Sequence, residues 1–315
     1  MEFNLQEEER NGFVVTRQRK KIWKCELDLL QQLLNVCEKY HLRCWVDSGT
    51  LLGTVRHKGF IPWDDDIDIV MMRDDYDYLM KIGPKEFQYP LFFQSAYTDI
   101  NYYRGHIQIR NSETTAILLY EYKRKFNQGI FIDVFPLDAL PEENAKFEEL
   151  SERSLRMKML MSRYHYSNIF GIHIFSNVFY YFQASKEIDE VGFKQYYKEY
   201  ESLFRQISLS DVNQVTKLSS VETRYRGIDK HIFDQTLWMD FENIKVPVPA
   251  RYDEYLKLMY GEGYMIPNQA SSFHGDVIFD TDLPYKKYLS MHSLMIMYLV
   301  LKRKAGIIWK KIFTI

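Results

Sequence analysis

The residues best suited to chemistry lie in a short acidic segment. Residues 64–68 contain four aspartates, and alternate side chains of a β-strand share one face. A strand that begins at Asp66 would bring Asp66 and Asp68 together and point Asp65 to the other face. Asp64 would share the face of Asp66 and Asp68 if the strand began earlier, and would otherwise belong to the loop that approaches the strand. Because several carboxylates on one face require a cation, and Mg²⁺ (or Mn²⁺) is commonly held by one or two carboxylates plus phosphate oxygens and waters, we predict that Asp66 and Asp68 are metal ligands and catalytic residues.

A run of small residues precedes the acids. Ser48, Gly49 and Thr50 follow a short apolar run and lead into an apolar stretch over 51–56, which predicts a strand, a turn and a short helix. Backbone N–H groups at a helix start bind anions, so we predict that these three residues contact a nucleotide phosphate. The predicted side-chain donors to the phosphate are Arg56, Lys58 and Arg110. The alternative is a tight turn followed by an acidic loop in solvent. The apolar neighbours of the acids disfavour this alternative, because they would bury the carboxylates, and burying unpaired carboxylates is costly.

A third carboxylate lies within the apolar segment 130–135. Asp133 would be buried there, and a buried aspartate requires a partner. A metal shared with Asp66 and Asp68 would supply one, and accepting the proton of an acceptor hydroxyl is a compatible role. A structural aspartate bonded to backbone or arginine is the alternative. Asp138 is predicted to be a turn or helix-cap residue outside the site.

These segments resemble the LicD family of phosphocholine transferases, which is related to fukutin-type ribitol-phosphate transferases and has a nucleotidyltransferase-like fold. The resemblance rests on residues 46–53 and 56–68, with further blocks at 110–115, 129–138 and 246–261. It implies transfer of phosphocholine from CDP-choline to a sugar hydroxyl of a cell-surface polysaccharide, such as lipopolysaccharide or teichoic acid, or of its lipid-linked precursor. CMP would be released.

The choline group and the donor class leave alternatives open. A quaternary ammonium is best held over aromatic faces, and Tyr102 and Tyr103, which neighbour polar residues, are the predicted contacts.

The donor could instead supply another phospho-alcohol or a sugar phosphate. A metal-dependent glycosyltransferase also uses an Asp-x-Asp pair, although the small-residue turn before the acids favours the nucleotidyltransferase arrangement. A non-catalytic scaffold would be expected to lack the carboxylates, and none is missing.

Composition narrows the class of protein. The chain has 315 residues, of which 46% are hydrophobic, which is enough for a large core. Its 41 basic and 43 acidic residues nearly balance, so no overall charge favours nucleic acid as a partner. Three cysteines without metal-ligand spacing and an acidic N-terminus without an apolar core predict a cytoplasmic protein.

The apolar pattern predicts an α/β (α+β) fold. Residues 17–40 have helical spacing, and strands are predicted at 44–47, 66–70, 91–95, 105–109, 115–120, 130–134 and 237–248. We predict a nucleotidyltransferase-like mixed-sheet core over 1–140, an aromatic-rich helical insertion or cover over 141–235, and a return to the core over 236–290.

The C-terminal segment 291–315 combines an apolar run with basic residues and Trp309. The run is too short to span a bilayer, which needs about 20 residues. A basic amphipathic helix of this kind fits the inner face of a membrane that carries anionic lipid, and a helix packed on the domain is the equal alternative.

Overall fold

The computed structural model describes residues 2–99, 102–122, 124–164, 186–219, 227–268, 277–291 and 298. The helices named below are α1 (Arg17–Tyr40), α2 (Ser48–His57), α3 (Arg73–Glu86), α4 (Asn144–Tyr164), α5 (Phe193–Ser202), α6 (Tyr252–Tyr260) and α7 (Tyr285–Leu289). The strands are β1 (Glu8–Arg10), β2 (Phe13–Val15), β3 (Trp45–Val46), β4 (Asp68–Met72), β5 (Leu91–Gln94), β6 (Ile107–Asn111), β7 (Thr115–Leu118), β8 (Ile130–Ala139), β9 (Gln214–Thr216), β10 (Ile228–Asp229), β11 (Thr236–Phe241), β12 (Ile244–Pro249) and β13 (Val277–Asp280). This mixture confirms the predicted α/β (α+β) class.

Strand β8 organises the main sheet. The sheet runs β10-β9-β8-β4-β3, and β6 also pairs with β8 and carries β5 on its far side. The β4–β8 pair is parallel, whereas the other pairs of this sheet are antiparallel. Nine of the ten residues of β8 are buried, as expected for a strand covered on both faces. The prediction ended this strand at 134, but the structure continues it because β4 and β9 extend its ladder.

Helix α1 covers this sheet, and its bounds confirm the prediction for residues 17–40. Thr16 caps its N-terminus by accepting from the backbone N–H of Arg19, and His41 ends it in the left-handed conformation. The helix buries Trp23, Leu30 and other apolar side chains in the main core. These contacts bring one face of α1 against the acidic loop that precedes β4.

Two predicted boundaries around the acids are wrong. Helix α2 begins at Ser48, so Ser48, Gly49 and Thr50 form its first turn and not a loop before it. Strand β4 begins at Asp68, so Asp66 lies before the strand. The reason is that the short partner strand β3 pairs only as far as Ile69, and no partner on that side extends the ladder to Asp66.

Asp138 also differs from its predicted role. It lies within β8, fully buried, and its carboxylate accepts a hydrogen bond of 2.6 Å from Nε of Arg73. It is therefore part of a buried ion pair and not a turn or cap residue, which agrees with its exclusion from the site. The predicted strand over 115–120 ends earlier, at Leu118, and a 3₁₀ turn follows it.

The remaining elements pack around this sheet. Helices α4 and α5 share a second apolar cluster that includes Leu160, Met161 and Tyr200, in the region predicted to be helical. The hairpin β11–β12 accounts for the predicted strand over 237–248. The proposed domain boundaries remain predictions.

Several expectations concern other parts of the chain. All three cysteines are free. In the described part of the chain, no helix has both the length and the apolarity needed to cross a bilayer. The predicted amphipathic segment 294–315 lies outside the described residues, except for Tyr298.

Candidate active site

Asp68 and Asp133 lie side by side in the main sheet. They are register partners in the parallel β4–β8 pair, and neighbouring strands lie about 4.8 Å apart. The backbone N–H of Asp133 donates to the carbonyl of Ile67 at 2.9 Å, which holds the two strands together at this level. The structure therefore brings together two of the three carboxylates predicted from the sequence.

The third predicted carboxylate, Asp66, belongs to the loop before β4. Carboxylate oxygens of Asp64, Asp65 and Asp66 lie within 4.8 Å of one another, so the loop gathers three acids. The alternation rule had pointed Asp65 away from its neighbours. Because the segment is not a strand, alternation does not apply to it, and Asp65 joins the cluster.

The electrostatics of these acids fit a divalent cation. Burial, followed by the charge of Asp133, raises the pKa of Asp68 to about 8, although the charge of Lys217 opposes the rise. Burial and the charges of Asp68 and Asp64 also raise the pKa of Asp66 well above its usual range. A cation with oxygen ligands would relieve this repulsion, and carboxylates are ligands that suit Mg²⁺ or Mn²⁺. Among the described residues, the three carboxylates whose oxygens lie within 4.8 Å of one another are Asp64, Asp65 and Asp66.

Asp133 differs from its neighbours because cationic and polar groups support it. Nε2 of His106 lies 3.0 Å from its Oδ1, and Nε2 of Gln108 donates to the same oxygen at 2.6 Å. Burial raises the pKa of Asp133, but its interactions with His106, Arg104 and Gln108 outweigh burial and lower it overall. Burial also lowers the pKa of His106, so a neutral His106 supports Asp133 less than a charged one and the support from Gln108 is the more dependable. A carboxylate with a lowered pKa is a good ligand and a weak proton acceptor.

A buried network anchors the start of α2. Asp47, the residue before the helix, is fully buried, and its Oδ1 accepts from the hydroxyl of Tyr255 at 2.6 Å. Its Oδ2 accepts from Nζ of Lys217 and, at 3.0 Å, from the hydroxyl of Ser48. The Lys217 ammonium lies 5.3 Å from the ring centroid of Phe135 and is itself buried.

Sequence reasoning missed Lys217 as a site residue. It follows β9 without a motif, so residue type and spacing offered no signal. Asp47 and Tyr255 lie in blocks that carry the family resemblance, and that placement was the available signal for both. The charge of Lys217 is the largest of the influences that lower the pKa of Asp47 against the effect of burial.

The first turn of α2 lies directly against the acids. The hydroxyl of Thr50 accepts from the backbone N–H of Asp68 at 2.9 Å, so this side chain positions the aspartate. A Cβ added to Gly49 would lie 2.4 Å from Oδ2 of Asp64, so a larger residue at this position would displace the Asp64 carboxylate. Ser48 and Gly49 thus place the positive end of the helix beside the carboxylates.

The structure does not bring Arg56 and Lys58 to this turn. They lie at the far end of α2, about 12 Å along the helix from Ser48 at 1.5 Å per residue. Nη1 of Arg56 donates to the carbonyl of Tyr264 at 2.8 Å, and Lys58 caps the helix in the left-handed conformation. Neither Arg56 nor Lys58 therefore lies beside the first turn of α2, where the phosphate was predicted to bind.

Arg110 is also away from the predicted position, because it is buried between strands. Its guanidinium donates to the side chains of Gln94 and Gln108, and Nη1 donates to the carbonyl of Gly129 at 2.7 Å. Since Gln108 in turn donates to Asp133, Arg110 supports the carboxylate through one intermediate side chain. Its position suits a positioning residue and not a phosphate ligand.

The predicted choline contacts are closed as well. Tyr102 is fully buried, and its hydroxyl donates to the carbonyl of His106 at 3.0 Å. Tyr103 is buried beneath Arg124, whose guanidinium carbon lies 4.6 Å from the centroid of its ring. Neither ring offers a free face to a ligand, because these tyrosines belong to the packed interior.

Tyr260, at the end of α6, is the more accessible aromatic residue near the acids. Its side chain is 44% exposed. Burial of the hydroxyl first, and then the charges of Asp47 and Asp68, raises its pKa, which places the hydroxyl within electrostatic reach of the site. It lies in the third block of the family resemblance, so a sequence signal existed.

Comparison with known proteins points to the same part of the chain. Residues 41–165 match the family described as LicD/FKTN/FKRP, nucleotidyltransferase domain. The lipopolysaccharide cholinephosphotransferase LicD of Haemophilus influenzae is 25% identical over 247 residues, which cover 76% of this chain and 89% of that protein. An uncharacterized protein of Rickettsia prowazekii, RP689, is 33% identical over 114 residues, which cover 36% of this chain and 39% of that protein.

The matched region contains the small-residue turn, the acidic loop and Asp133, which are the features that the resemblance rested on. The structure brings these features together on one sheet and one helix start. Residues 41–165 therefore resemble the nucleotidyltransferase domain of the LicD/FKTN/FKRP family, and the similarity to LicD extends over most of the chain.

Proposed function

We propose that the protein transfers phosphocholine from CDP-choline to a sugar hydroxyl of a cell-surface polysaccharide or its lipid-linked precursor. The observation that carries the proposal is the register pairing of Asp68 with Asp133 beside the first turn of α2. Similarity to a lipopolysaccharide cholinephosphotransferase over most of both chains supports the phosphocholine group and the glycan acceptor.

The reaction would consist of one exchange at phosphorus. The acceptor hydroxyl oxygen forms a bond to the β-phosphorus of CDP-choline, and the bond from that phosphorus to the oxygen bridging the two phosphates breaks. CMP leaves with the electron pair, and the hydroxyl proton passes to a base or to solvent. The products are a phosphodiester and CMP, so the protein mainly has to position the reactants and neutralise charge.

The proposed metal would be held by Asp66, Asp68 and Asp133. When bound, Mg²⁺ or Mn²⁺ would neutralise charge on the donor phosphates. Ser48 and Gly49 would offer backbone N–H groups to the same phosphates. Because Asp133 has a lowered pKa, we assign it the role of a ligand in preference to that of the base.

Recognition of choline would fall to an aromatic face near the acids. Its quaternary nitrogen has no hydrogen to donate, and cation–π contact is the interaction that remains. Tyr260 is accessible and lies near the acids, so we propose it as the choline contact in place of Tyr102 and Tyr103. Tyr260→Leu should raise KM for CDP-choline more than it lowers kcat.

The donor is tested by incubating the purified protein with Mg²⁺, a glycan acceptor, and a panel of CDP-alcohols and nucleotide sugars. We expect CMP release from CDP-choline that requires both acceptor and metal. Release of CMP from a different CDP-alcohol would redirect the donor assignment. Release of a nucleoside diphosphate from a nucleotide sugar would instead identify a glycosyltransferase and refute the proposal.

Matched aspartate variants test the site. Asp68→Asn and Asp133→Asn should each lower turnover by roughly 10²–10⁴-fold, because metal-assisted charge neutralisation contributes several kcal/mol and each 1.4 kcal/mol is tenfold in rate. Asp240→Asn, on an exposed hairpin residue, should retain the activity. Normal turnover by Asp68→Asn would exclude this carboxylate from the reaction.

We further propose that the enzyme works in the cytoplasm with the segment 294–315 on the inner membrane face. The segment carries an apolar run followed by lysines and arginine, and each basic residue near an anionic surface contributes about 1 kcal/mol. Sedimentation with anionic vesicles should capture the full chain at low salt and not a chain that ends near Ser290. Equal binding by both chains would contradict the proposal.

A further inference from the structure

A groove with a volume of about 450 Å³ lies between α1 and the β11–β12 hairpin. Its first wall is a stripe along α1 that consists of Gln31, Leu34, Asn35 and Glu38. These residues are spaced by three and four, so they share one face of the helix. Leu34 is buried and the other three are exposed. The helix therefore contributes two amides and a carboxylate to the groove.

The second wall is one face of the hairpin. Thr236 and Trp238 alternate on β11, and Lys245 and Pro247 alternate on β12 opposite them, so the four side chains lie on the same side of the hairpin. Nε1 of Trp45 donates to Oγ1 of Thr236 at 2.9 Å. This hydrogen bond fastens the wall to β3, the strand that leads to the start of α2.

Trp238 is an exposed aromatic side chain in this groove. It is 57% exposed, and in the described part of the chain its indole makes no hydrogen bond and no contact with another ring or a cation. An indole combines a large apolar face with one N–H donor, and covering such a face is favourable. The groove thus offers an uncovered apolar face with hydrogen-bonding groups around it.

The polar groups of the groove suit a ligand that both donates and accepts hydrogen bonds. Nε2 of Gln31 donates to Oδ1 of Asn35 at 3.0 Å, which leaves the oxygen of Gln31 and the amide N–H groups of Asn35 for a ligand. The carboxylate of Glu38 adds an acceptor. Sugar hydroxyls match such a set, because each hydroxyl is both a donor and an acceptor.

The charges of the groove are nearly balanced. Nε of Arg43, which also lines the groove, lies 3.9 Å from Oδ2 of Asp75, and Nζ of Lys245 lies 2.9 Å from Oδ1 of Asp240. Both basic groups therefore have an acid beside them. A strongly charged ligand is held by an excess of the opposite charge, so the groove favours an uncharged ligand over a polyanion or a free cation.

The groove lies beside the segment that leads to the candidate active site. Its floor includes Cys44, which is three residues before Asp47 in an extended part of the chain, or about 10 Å away at about 3.3 Å per residue. The first turn of α2 follows directly at Ser48. A polymer with one unit in the groove would therefore need only a few more units to reach the start of α2.

We propose that this groove is a subsite for a sugar residue of the glycan acceptor, separate from the sugar whose hydroxyl reacts. A pyranose ring has an apolar face of C–H groups, which stacks on Trp238, and a rim of hydroxyls, which bond to Gln31 and Asn35. The subsite holds the polymer and takes no part in the exchange at phosphorus. The assignment of the ligand as the acceptor rests on the proposed function.

Binding of short oligosaccharides from bacterial surface polysaccharides, first on an array and then by titration calorimetry, tests the subsite on the full chain without CDP-choline or metal. We expect at least one oligosaccharide to bind the wild type, and Trp238→Ala to weaken its Kd by at least about tenfold. Asn35→Ala, on the opposite wall, should weaken it severalfold. Leu237→Ala, at a 45% exposed neighbour on the other face of the hairpin, is the matched control and should bind as the wild type does.

Three results would overturn the subsite. The first is that no oligosaccharide binds the wild type, and the second is that Trp238→Ala binds with unchanged affinity. The third is that phosphocholine, and not an oligosaccharide, binds the wild type and is lost in Trp238→Ala, because the ligand would then be a cation. These side chains are exposed, so the variants should fold normally, which circular dichroism checks.

Steady-state kinetics separate the subsite from the reacting centre. Trp238→Ala should raise the KM for a polysaccharide acceptor by about tenfold and leave kcat and the KM for CDP-choline unchanged. A monosaccharide acceptor is too short to occupy the groove while it reacts, so its KM should not change. An equal rise in the KM for the monosaccharide would overturn the proposal, because the groove would then hold the reacting sugar.

The subsite and the proposed function fail in different ways. Oligosaccharide binding that depends on Trp238, without CMP release from CDP-choline, would refute the proposed transfer and leave a glycan-binding groove. CMP release with the same KM for the polysaccharide in Trp238→Ala and the wild type would refute the subsite and leave the proposed transfer intact.

Discussion

Replacing Lys217 by methionine tests the buried network that anchors α2. Lys217 is 3% exposed and donates to the fully buried carboxylate of Asp47. Methionine keeps much of the length and the contact with Phe135 but removes the charge. Asp47 would keep its hydrogen bonds from Tyr255 and Ser48, yet its charge would no longer be balanced.

The expected cost follows from these contacts. Breaking a buried ion pair by removing one partner costs about 3–5 kcal/mol, and the two remaining hydrogen bonds to the carboxylate keep the value near the lower end. We therefore expect Lys217→Met to lower the free energy of unfolding by about 3 kcal/mol. Asp47→Asn should also be costly, because it leaves the lysine ammonium buried and unbalanced.

The double variant makes the reasoning quantitative. With both charges removed, no unbalanced ion remains, so Lys217→Met combined with Asp47→Asn should cost less than the sum of the single variants by about 2 kcal/mol or more. Urea unfolding followed by tryptophan fluorescence measures these values, because Trp23 and Trp45 are fully buried. Lys245→Met, in an exposed pair with Asp240, is the control and should change stability by less than about 0.5 kcal/mol.

Two results would refute the argument. Additive costs in the double variant would mean that Lys217 and Asp47 do not form an energetically coupled pair. A cost below about 1 kcal/mol for Lys217→Met would mean that the carboxylate does not depend on this lysine for its charge balance. Lys217→Met should also raise the pKa of Asp68, because the lysine charge now opposes that rise.

Three further predictions concern the acids and their supports. The folded protein holds a proton on Asp68 with a pKa of about 8 against an ordinary value of 3.8, so the contribution of Asp68 to stability should be fully present below the ordinary pKa and fall as pH rises toward 8. Urea unfolding at several pH values, compared between the metal-free wild type and Asp68→Asn, should show this loss in the wild type at about 2–3 kcal/mol, and Mg²⁺ should reduce it. Gly49→Ala should lower the free energy of unfolding by about 1–3 kcal/mol, because the added methyl group meets Asp64, and it should slow turnover. Gly263→Ala is the control, because open space surrounds this glycine, and it should change neither stability nor turnover. Arg110→Met should destabilise the fold by about 3 kcal/mol. In steady-state kinetics it should lower kcat without a selective rise in the KM for the donor, whereas loss of a phosphate ligand would raise that KM.

The sequence by itself determined the features that depend on residues close together along the chain. The helix over residues 17–40 could be predicted because helical apolar spacing is a property of neighbouring residues, and its observed bounds agree. Asp68 could be selected because its spacing from Asp66 predicts a shared strand face, and Asp133 because it lies in an apolar segment, where a carboxylate requires a partner. The family resemblance depended on the order of residues in those same segments, and residues 41–165 match that family's nucleotidyltransferase domain.

The tertiary structure decided which side chains face one another across the chain. Lys217 reaches Asp47 across 170 residues, and no local pattern announces such a contact. Arg110 was predicted to bind phosphate from its residue type, but packing between strands uses its donors. Asp65 joins its neighbours because the pairing of a distant strand, and not the aspartates themselves, sets where β4 begins. Residue type and spacing specify which groups can do chemistry, whereas burial and charge balance are properties of the assembled core and depend on all the elements that surround each group.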